Sequence, residues 1–477
     1  MAALGVAACG GDNLTQPPIG AAPRVVSAKA AENPNNTLAA SITFTAENAD
    51  SARVIYLTDH SADSTPFSPV VEGRGTIATL GLRSSTAYRS VVQVVGAGGV
   101  AESDTIALTS GPLPDLLQRV SITTTGTGSS GLTLTSVQVG GSTVFAVAFD
   151  SVGSIRWYRR FDSRPETVGG ELKQQQNGNF TLFAGTSFGS QKVPGHYVEF
   201  TPAGDSVRAF SVTPPQYLDD HELWITTGPG GEERIHLFAY THRTTDLTSI
   251  GGAADAQLAG HQVVRRRPDG STEFTWDAWD HLALDEWIEP PKPGPVDPQQ
   301  PDFDHPNSID FDASGNYIVS FRNLGQVINI DAQTGAIHWR LGGVNSQFTF
   351  VNDPLNGFSA QHSARMLPNG HLLLYDNGTR HQPSESRAVE YALDFNAMTA
   401  TLVWEFRHNP IIYTPFVGLV QRLSNGNTLV AYGMAGHATE ATANQGVAWE
   451  ADIKVDGNPA FVYRMVRIAS LYQYQAP

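Results

Sequence analysis

The chain has 477 residues, of which 16% are charged and 40% hydrophobic, with a formal net charge of −16, 46 Gly, 29 Pro and one Cys. The length predicts at least two domains, or one large repeat architecture beside a small domain. The acidic balance argues against a nucleic-acid surface. No stretch approaches the roughly 20 apolar residues of a membrane-spanning helix, and a lone cysteine excludes a disulfide framework.

The N-terminal segment, residues 1–23, is interpreted as a truncated lipoprotein signal followed by a polar tether. Cys9 follows small residues, as in the processing site of bacterial lipoproteins, although only eight residues precede it and none of them is basic. Cys9 is therefore a candidate lipidation site and membrane tether, with a chance match as the alternative. We expect an exported protein, periplasmic or on the cell surface.

Residues 24–112 predict a small β-sandwich. Short β-branched runs alternate with turn residues, as in Ser41–Phe44 and Ala52–Tyr56. The run from Leu82 to Tyr88 resembles the approach to the tyrosine-corner strand of fibronectin type III domains. We expect this domain to act as a spacer.

Residues 113–477 contain a repeat. A turn glycine recurs before a short apolar run at Gly178, Gly315, Gly370 and Gly426, with a degenerate copy at Gly230. The spacings are 52 to 56 residues, except for 85 residues where a Pro-rich insert at 277–304 intervenes. Most units also close with a Trp after an acidic turn. Two stacked sandwiches would not give this regularity, so the pattern predicts an all-β, six-bladed β-propeller.

Histidines occupy matching places in three of these repeats. His221, His305 and His362 lie 9, 10 and 8 residues before their turn glycines. The first strands of propeller blades converge on the central channel, so we expect these imidazoles to face one another. Asn307 shares a strand face with His305, and the return strand can aim Arg322 inward.

This set of side chains favours an oxyanion as the ligand. Three histidines could hold zinc, but Arg322 would repel the cation, and no carboxylate cluster is apparent. Arg and His donate several hydrogen bonds to tetrahedral oxygens, which favours sulfuryl or phosphoryl groups.

Several motifs carry a family resemblance. They are His305-Pro306-Asn307-Ser308, Ser320-Phe321-Arg322, Trp339-Arg340-Leu341-Gly342-Gly343, Gln361-His362 and Asp376-Asn377-Gly378. In this order they resemble the arylsulfotransferase family, most strongly from about residue 300 to 380. The resemblance implies a six-bladed propeller, often with an N-terminal β-sandwich, in exported bacterial proteins.

The resemblance also implies an activity: ping-pong transfer of a sulfuryl group from an aryl sulfate to a phenol, through a sulfated histidine. The sulfated residue matches His362. His305, Asn307 and Arg322 match the residues that bind the oxygens, and His221 matches a further family histidine more loosely. No metal or cofactor is expected.

Other features leave alternatives open. The insert brings Trp276, Trp279 and Trp287 close to His305, and Trp287 is either part of an aryl pocket or an anchor for a surface loop. His261 and His437 lie outside the motifs and are interpreted as structural. The rival functions are a non-catalytic exported propeller that binds an anion or glycan, and a quinoprotein-like dehydrogenase, for which no convincing calcium ligand set is found.

Overall fold

The computed structural model describes residues 20–141, 143–162, 170–185, 195–228, 230–288 and 302–474. The candidate lipidation site Cys9 lies outside the described residues. Regular structure is almost entirely antiparallel β-strand. The described residues form two compact units, one of residues 20–33, 39–79 and 85–110, and one of residues 34–38, 80–84 and 111–474.

The first unit contains two antiparallel sheets. Its strands are β1 (Arg24–Glu32), β2 (Ala40–Glu47), β3 (Ser51–Leu57), β4 (Ala62–Ser64), β5 (Ser68–Pro69), β6 (Arg74–Thr79), β7 (Ala87–Gly96), β8 (Gly99–Glu102) and β9 (Ile106–Thr109). One sheet has the order β1-β2-β6, and the other has the order β4-β3-β7-β8, with β5 paired to β3 and β9 to β7. Alternate residues of β2 and β3 are buried, as one-sided packing requires.

The second unit begins with a run of antiparallel strands. They are β10 (Val120–Gly126), β11 (Leu132–Val139), β12 (Thr143–Phe149), β13 (Ile155–Asp162), β14 (Leu172–Gln174), β15 (Phe180–Ala184), β16 (His196–Phe200), β17 (Ser206–Phe210), β18 (Tyr217–Thr227), β19 (Glu233–Thr245), β20 (Ala256–Arg266), β21 (Thr272–Asp277), β22 (Pro306–Phe311), β23 (Tyr317–Phe321), β24 (Gln326–Ile330) and β25 (Ile337–Gly342).

The remaining strands complete this unit. They are β26 (Thr349–Val351), β27 (His362–Met366), β28 (Leu372–Asp376), β29 (Arg387–Asp394), β30 (Thr399–Phe406), β31 (Leu419–Arg422), β32 (Thr428–Tyr432), β33 (His437–Ala441), β34 (Val447–Val455), β35 (Asn458–Pro459) and β36 (Met465–Ile468). Short helical segments are Leu117–Arg119, Thr248–Ile250, α1 (Ala278–His281), Leu284–Glu286 and Gly433–Ala435. No helix in these described ranges has the length and apolar character of a membrane span.

These strands form six sheets, which we number in chain order. Sheet I is β11, β12, β13 and β36; sheet II is β14–β17; sheet III is β18–β21; sheet IV is β22–β25; sheet V is β26–β30; and sheet VI is β31–β35 with β10. Both ends of the unit therefore pair far from their chain neighbours: β36 joins β11, and β10 joins β34. The pairing of β36 with β11, from Leu132 opposite Ile468 to Thr135 opposite Met465, holds the C-terminal end in the first sheet.

The repeat of turn glycines corresponds to the hairpin between an edge strand of a sheet and the strand beside it. Gly178, Gly315, Gly370 and Gly426 adopt φ of 82° to 86°, a left-handed conformation that L side chains rarely adopt. In sheet III the glycine with this geometry is Gly231, at φ 82°, one residue beyond the predicted Gly230. The prediction was one residue off because two consecutive glycines follow Pro229 and the sequence alone does not say which one turns.

The closing tryptophans connect neighbouring sheets. The indole N–H of Trp157 in sheet I donates to the carbonyl of Pro202 in sheet II, at 2.7 Å. Trp276 of sheet III donates to Gly335 of sheet IV at 3.1 Å, and Trp449 of sheet VI donates to Ser151 of sheet I at 2.8 Å. Each indole buries an apolar ring between two sheets while its one polar group is satisfied.

Candidate active site

The predicted histidines lie at the starts of edge strands in three adjacent sheets. His221 lies within β18 of sheet III, His305 directly precedes β22 of sheet IV, and His362 begins β27 of sheet V. The corresponding residue of sheet VI is Gly418, just before β31, where a Cβ would lie 2.6 Å from the ring of Tyr375. Chemistry-bearing side chains from distant parts of the sequence thus occupy one structural position.

His362 is almost fully buried, with 1% of its surface exposed. Its Nδ1 lies 2.7 Å from Oδ1 of Asn377 and 3.1 Å from the carbonyl oxygen of Ala360. Both neighbours are acceptors, so Nδ1 carries the proton and Nε2 keeps its lone pair. This tautomer makes Nε2 the nucleophilic atom of the ring.

Asn377 is held in the orientation that this tautomer requires. Its amide nitrogen donates to the carbonyl oxygens of Thr414 at 2.8 Å and Val417 at 2.9 Å. Those two bonds leave Oδ1 as the atom that faces His362. The amide also carries no charge, so it orients the imidazole without providing the strong stabilisation that a carboxylate gives to an imidazolium.

The electrostatic surroundings of His362 keep it neutral. Burial lowers the pKa of His362 well below its ordinary value, the positive charge of Arg322 lowers it further, and His221 and His305 act in the same direction. The hydrogen bond that His362 donates to Asn377 opposes these effects and does not outweigh them. His362 is therefore an uncharged base at neutral pH. Because the charges of Arg322, His221 and His305 act on its pKa, it also lies near these three side chains.

His221 has the opposite environment, because its Nδ1 donates to a carboxylate. Nδ1 lies 2.9 Å from Oδ1 of Asp219 and 3.5 Å from Oδ1 of Asp220. Burial opposes the charge of His221, but these two carboxylates raise the pKa of His221 above its ordinary value. Its ring meets the ring of His305 edge to face, with 4.7 Å between centroids. These carboxylates thus favour the cationic form of His221.

His305 also has a carboxylate partner. Its Nδ1 lies 2.5 Å from Oδ2 of Asp302, and its backbone N–H donates to Asp302 and Asp304 at 3.0 Å each. Burial nevertheless lowers the pKa of His305, and the nearby charges of His221 and Arg322 add to this effect. The backbone of His305 is left-handed at φ 47°, which is uncommon for a residue with a side chain.

Arg322 follows β23 and lies beside the histidines, since its charge acts on the pKa of both His305 and His362. Its backbone N–H donates to the carbonyl of His305 at 2.9 Å, which fixes the spacing of the two residues. The guanidinium donates to Oδ1 of Asn323 at 2.8 Å and to the carbonyl of Pro415 at 3.2 Å. Those contacts hold the guanidinium in one orientation.

Asn307 is fully buried and contacts the strand that carries His362. Its amide nitrogen donates to the carbonyl of Gln361 at 2.7 Å, and the second N–H of that nitrogen is the donor that oxygen binding would require. The side chain of Gln361 donates in turn to the carbonyls of Phe321 at 3.2 Å and Gln326 at 3.0 Å. The Gln-His motif therefore couples sheets IV and V next to the ring of His362.

The expectation that no carboxylate cluster lies near the histidines is wrong. Asp219, Asp220, Asp302 and Asp304 all lie in this region, and His261 joins them. Nδ1 of His261 is 2.7 Å from Asp304 and its Nε2 is 3.4 Å from Asp219. The sequence held a signal for this cluster, because each pair of aspartates lies within three residues of a predicted histidine.

The same carboxylates raise the question of a metal. Two sets in this region, Asp219–Asp220–His221 and His261–Asp302–Asp304, have ligand atoms within 4.8 Å of one another. Burial opposes charge on His261, yet Asp304 and Asp302 raise the pKa of His261 well above its ordinary value. The resulting imidazolium lies between carboxylates and already supplies the positive charge that a cation would bring.

A buried ion network adjoins Asn307, and no sequence motif indicated it. Arg464, directly before β36, contacts Glu171 at 2.5 Å and Glu222 at 3.0 Å, and it donates to the carbonyl of Asn307 at 2.5 Å. Lys173 lies 2.9 Å from Glu171, and burial lowers the pKa of Lys173 to about 7. Through the guanidinium of Arg464, the network holds the backbone carbonyl of Asn307 in place.

Trp287 is 8% exposed and belongs to a hydrophobic cluster with Phe303 and Leu324. This packing matches the anchoring role that the sequence left as one alternative. Residues 289–301 of the insert lie outside the described residues. The role of Trp287 in an aryl pocket therefore stays a prediction.

Comparison with known proteins assigns the family. The sequence model of the arylsulfotransferase (ASST) family matches residues 118–468. The chain belongs to the arylsulfotransferase family. It is therefore a transferase of sulfur-containing groups, and the reaction of its family is transfer from aryl sulfates. No curated protein matches the chain.

Solved structures resemble the chain only distantly. A protein of unknown function from Bacteroides caccae has 13% identity and a TM-score of 0.42, covering 71% of this chain and 98% of its own. A periplasmic gluconolactonase from Pseudomonas aeruginosa has 15% identity and a TM-score of 0.38, covering 71% and 99%. A virginiamycin B lyase from Staphylococcus aureus has 10% identity and a TM-score of 0.34, covering 69% and 87%. At these values the likenesses carry no conclusion about activity.

Proposed function

We propose that this arylsulfotransferase-family protein moves a sulfuryl group from an aryl sulfate to a phenol by a ping-pong mechanism, with a sulfohistidine at His362 as the intermediate. One observation carries the proposal. Among the three histidines, His362 alone has a neutral amide on Nδ1, whereas His221 and His305 have carboxylates. A neutral ring is a nucleophile, and the two carboxylates beside His221, which raise its pKa, make that ring the better cationic donor.

In the first half-reaction, Nε2 of His362 attacks the sulfur of the aryl sulfate. The Nε2–S bond forms, the bond between sulfur and the aryl oxygen breaks, and the electron pair stays on that oxygen. The imidazolium of His221 gives its Nε2 proton to the departing phenolate. The proton on Nδ1 of His362 remains on the hydrogen bond to Asn377, so the ring bears a positive charge next to the sulfonate.

In the second half-reaction the roles reverse. A phenol acceptor enters, and its hydroxyl proton passes to Nε2 of the now neutral His221. The phenolate oxygen attacks sulfur, the S–O bond forms, and the electron pair of the N–S bond returns to Nε2 of His362. The donor and acceptor are chemically alike, so one site serves both steps.

The charge on the sulfuryl oxygens is met by donors that are already in place. Arg322 supplies a guanidinium that the side chain of Asn323 and the carbonyl of Pro415 hold in position. The second N–H of Asn307 adds to this set. The Nε2 proton of His221 is used on the leaving oxygen, and His305 would donate only with both ring nitrogens protonated, a form that its lowered pKa disfavours. A preorganised donor of this kind contributes about 3 to 4 kcal/mol to transition-state stabilisation.

We also propose the architecture and location in which this site works. The six sheets would form a closed six-bladed propeller, a reading supported by the pairing of β10 and β36 with strands far away in sequence and by the indole bonds between successive sheets. The first unit would be a fibronectin III-like spacer. The protein would be exported, with Cys9 as its lipid anchor.

A discontinuous assay tests the activity. The protein is incubated with 4-nitrophenyl sulfate, with and without phenol, and we expect sustained nitrophenol release only when the acceptor is present. Donor-only incubation followed by mass spectrometry at alkaline pH should show an acid-labile sulfonate on the peptide that contains His362. His362→Ala should abolish both signals, whereas His338→Ala, on the exposed face of β25, should leave them unchanged. Full exchange by His362→Ala, or release that ignores the acceptor, would refute the mechanism.

A further inference from the structure

Two histidines and a glutamate converge on one face of sheet VI, apart from the predicted transfer residues. His408 follows β30, His437 begins β33, and Glu450 lies in β34. The ligand atoms of these three residues all lie within 4.8 Å of one another. From this geometry we infer that His408, His437 and Glu450 form a binding site for a divalent transition-metal cation of the zinc type.

The distances suit such an ion. Nε2 of His408 lies 2.8 Å from Oε1 of Glu450, and Nε2 of His437 lies 3.7 Å from the same oxygen. A tetrahedral zinc ion with bonds of roughly 2.0 to 2.1 Å separates neighbouring ligand atoms by about 3.4 Å, a value between the two distances in the structure. Small side-chain movements would therefore seat the ion.

The second nitrogen of each ring makes the strongest case. Nδ1 of His408 donates to the carbonyl of Pro410 at 2.6 Å, and Nδ1 of His437 donates to Oδ1 of Asp452 at 2.9 Å. In both rings the Nδ1 proton is engaged, and Nε2 is directed toward Glu450. Metal-binding histidines use this arrangement, in which a carbonyl or carboxylate on one nitrogen orients the ring and increases the basicity of the other.

A cation would use one atom from each of the three residues. Nε2 of His437 lies 3.0 Å from the hydroxyl of Thr439, which can donate to its lone pair, and a cation can bind the same lone pair. A divalent cation would bind Nε2 of His408, Nε2 of His437 and a carboxylate oxygen of Glu450.

The ligand types select the class of ion. Imidazole nitrogens favour zinc, copper and nickel, whereas calcium and magnesium require oxygen ligands. The side chains of His408 and His437 are 12% and 10% exposed, and that of Glu450 is 28% exposed, so the site opens to solvent on the glutamate side. A fourth position is thus available to water. The ion would fasten the segment after β30 to sheet VI, next to the pairing of β10 with β34.

The test uses the full chain without a polyhistidine tag, in a Cys9→Ser background, after removal of metals with a chelator. The protein is dialysed against micromolar ZnCl2 or CoCl2, and metal per chain is measured by atomic emission. We expect one zinc per chain, a cobalt form with the intense visible absorption of low coordination number, and a higher melting temperature with zinc than without.

Variants locate the ion. His437→Gln and Glu450→Gln should abolish stoichiometric binding, and the exposed Asp452→Asn should weaken the affinity about 10- to 100-fold, the usual effect of losing such a ring partner. His371→Gln is the matched control, because His371 contacts Glu390 at 2.6 Å in sheet V, where Arg422 also contacts that glutamate. The inference is overturned if the wild-type chain binds no zinc. It is also overturned if His437→Gln and Asp452→Asn bind zinc as the wild type does. That result would place the ion elsewhere, for instance at the aspartates around His261.

Discussion

The charge of His221 gives the sharpest test of the proposed chemistry, and Asp219→Asn removes its main source. The substitution is isosteric, and Oδ1 of the asparagine can still accept from the ring and from the backbone N–H of His221, each at 2.9 Å in the native protein. The change therefore removes a negative charge and leaves both hydrogen bonds with His221 in place, while an amide nitrogen replaces the oxygen that lies 3.4 Å from Nε2 of His261. It should lower the pKa of His221.

The magnitude follows from the contact distance. With 2.9 Å between Nδ1 and Oδ1, the two charge centres are about 4 Å apart, and an effective dielectric constant of about 20 gives an interaction of about 4 kcal/mol. At 1.36 kcal/mol per pKa unit this is an upper limit of about 3 units. Asp220 remains 3.5 Å away, so we expect a fall at the lower end of the usual range of about 1 to 3 units.

The assay is the pH profile of kcat/KM for the aryl sulfate donor. His221 must be protonated to donate, so the native rate should fall as the pH rises through its raised pKa, and this alkaline limb should move to lower pH in Asp219→Asn. The acid limb reports His362, whose lowered pKa keeps it neutral below pH 6.5, and it should stay at low pH. Asp331→Asn is the control, because Asp331 pairs with His338 at 3.2 Å on the surface. An unmoved alkaline limb with a native rate would refute the role of His221.

Three further substitutions test the surroundings of the nucleophile. Asn377→Ala removes the acceptor for Nδ1 of His362. It should lower kcat about 10- to 100-fold, because a lost hydrogen bond costs about 1 to 3 kcal/mol. Sulfohistidine formation at the native rate, measured by stopped flow, would contradict this. Arg322→Lys keeps the charge but loses the guanidinium fork, so we expect a large loss of rate with an unchanged melting temperature, and native kinetics would show that geometry is unimportant there. Gly418→Ala places a Cβ 2.6 Å from Tyr375 at φ +110° and should destabilise the fold by about 1 to 3 kcal/mol in urea unfolding; an unchanged midpoint would contradict the predicted clash.

Aspartates near two of the histidines show how much of the site the sequence held. Asp219 and Asp302 are two and three residues from the histidines they contact, so their pairing was open to prediction from local spacing. The partner of His362 was not, because Asn377 is 15 residues away and its orientation depends on the carbonyls of Thr414 and Val417, in the connection between β30 and β31. Motif order pointed to Asn377 without giving its role.

Local periodicity determined a great deal by itself. Turn glycines and apolar runs fixed the strands, and the recurring position of the histidines fixed which residues share a place in the fold, since both depend on chain geometry over a few residues. The ionisation of those histidines was decided only by tertiary contacts. Packing of the sheets decides whether a ring meets an amide or a carboxylate. Arg464 and Glu171 are hundreds of residues apart, and His408 and Glu450 are tens of residues apart, so both pairs form only when the sheets come together.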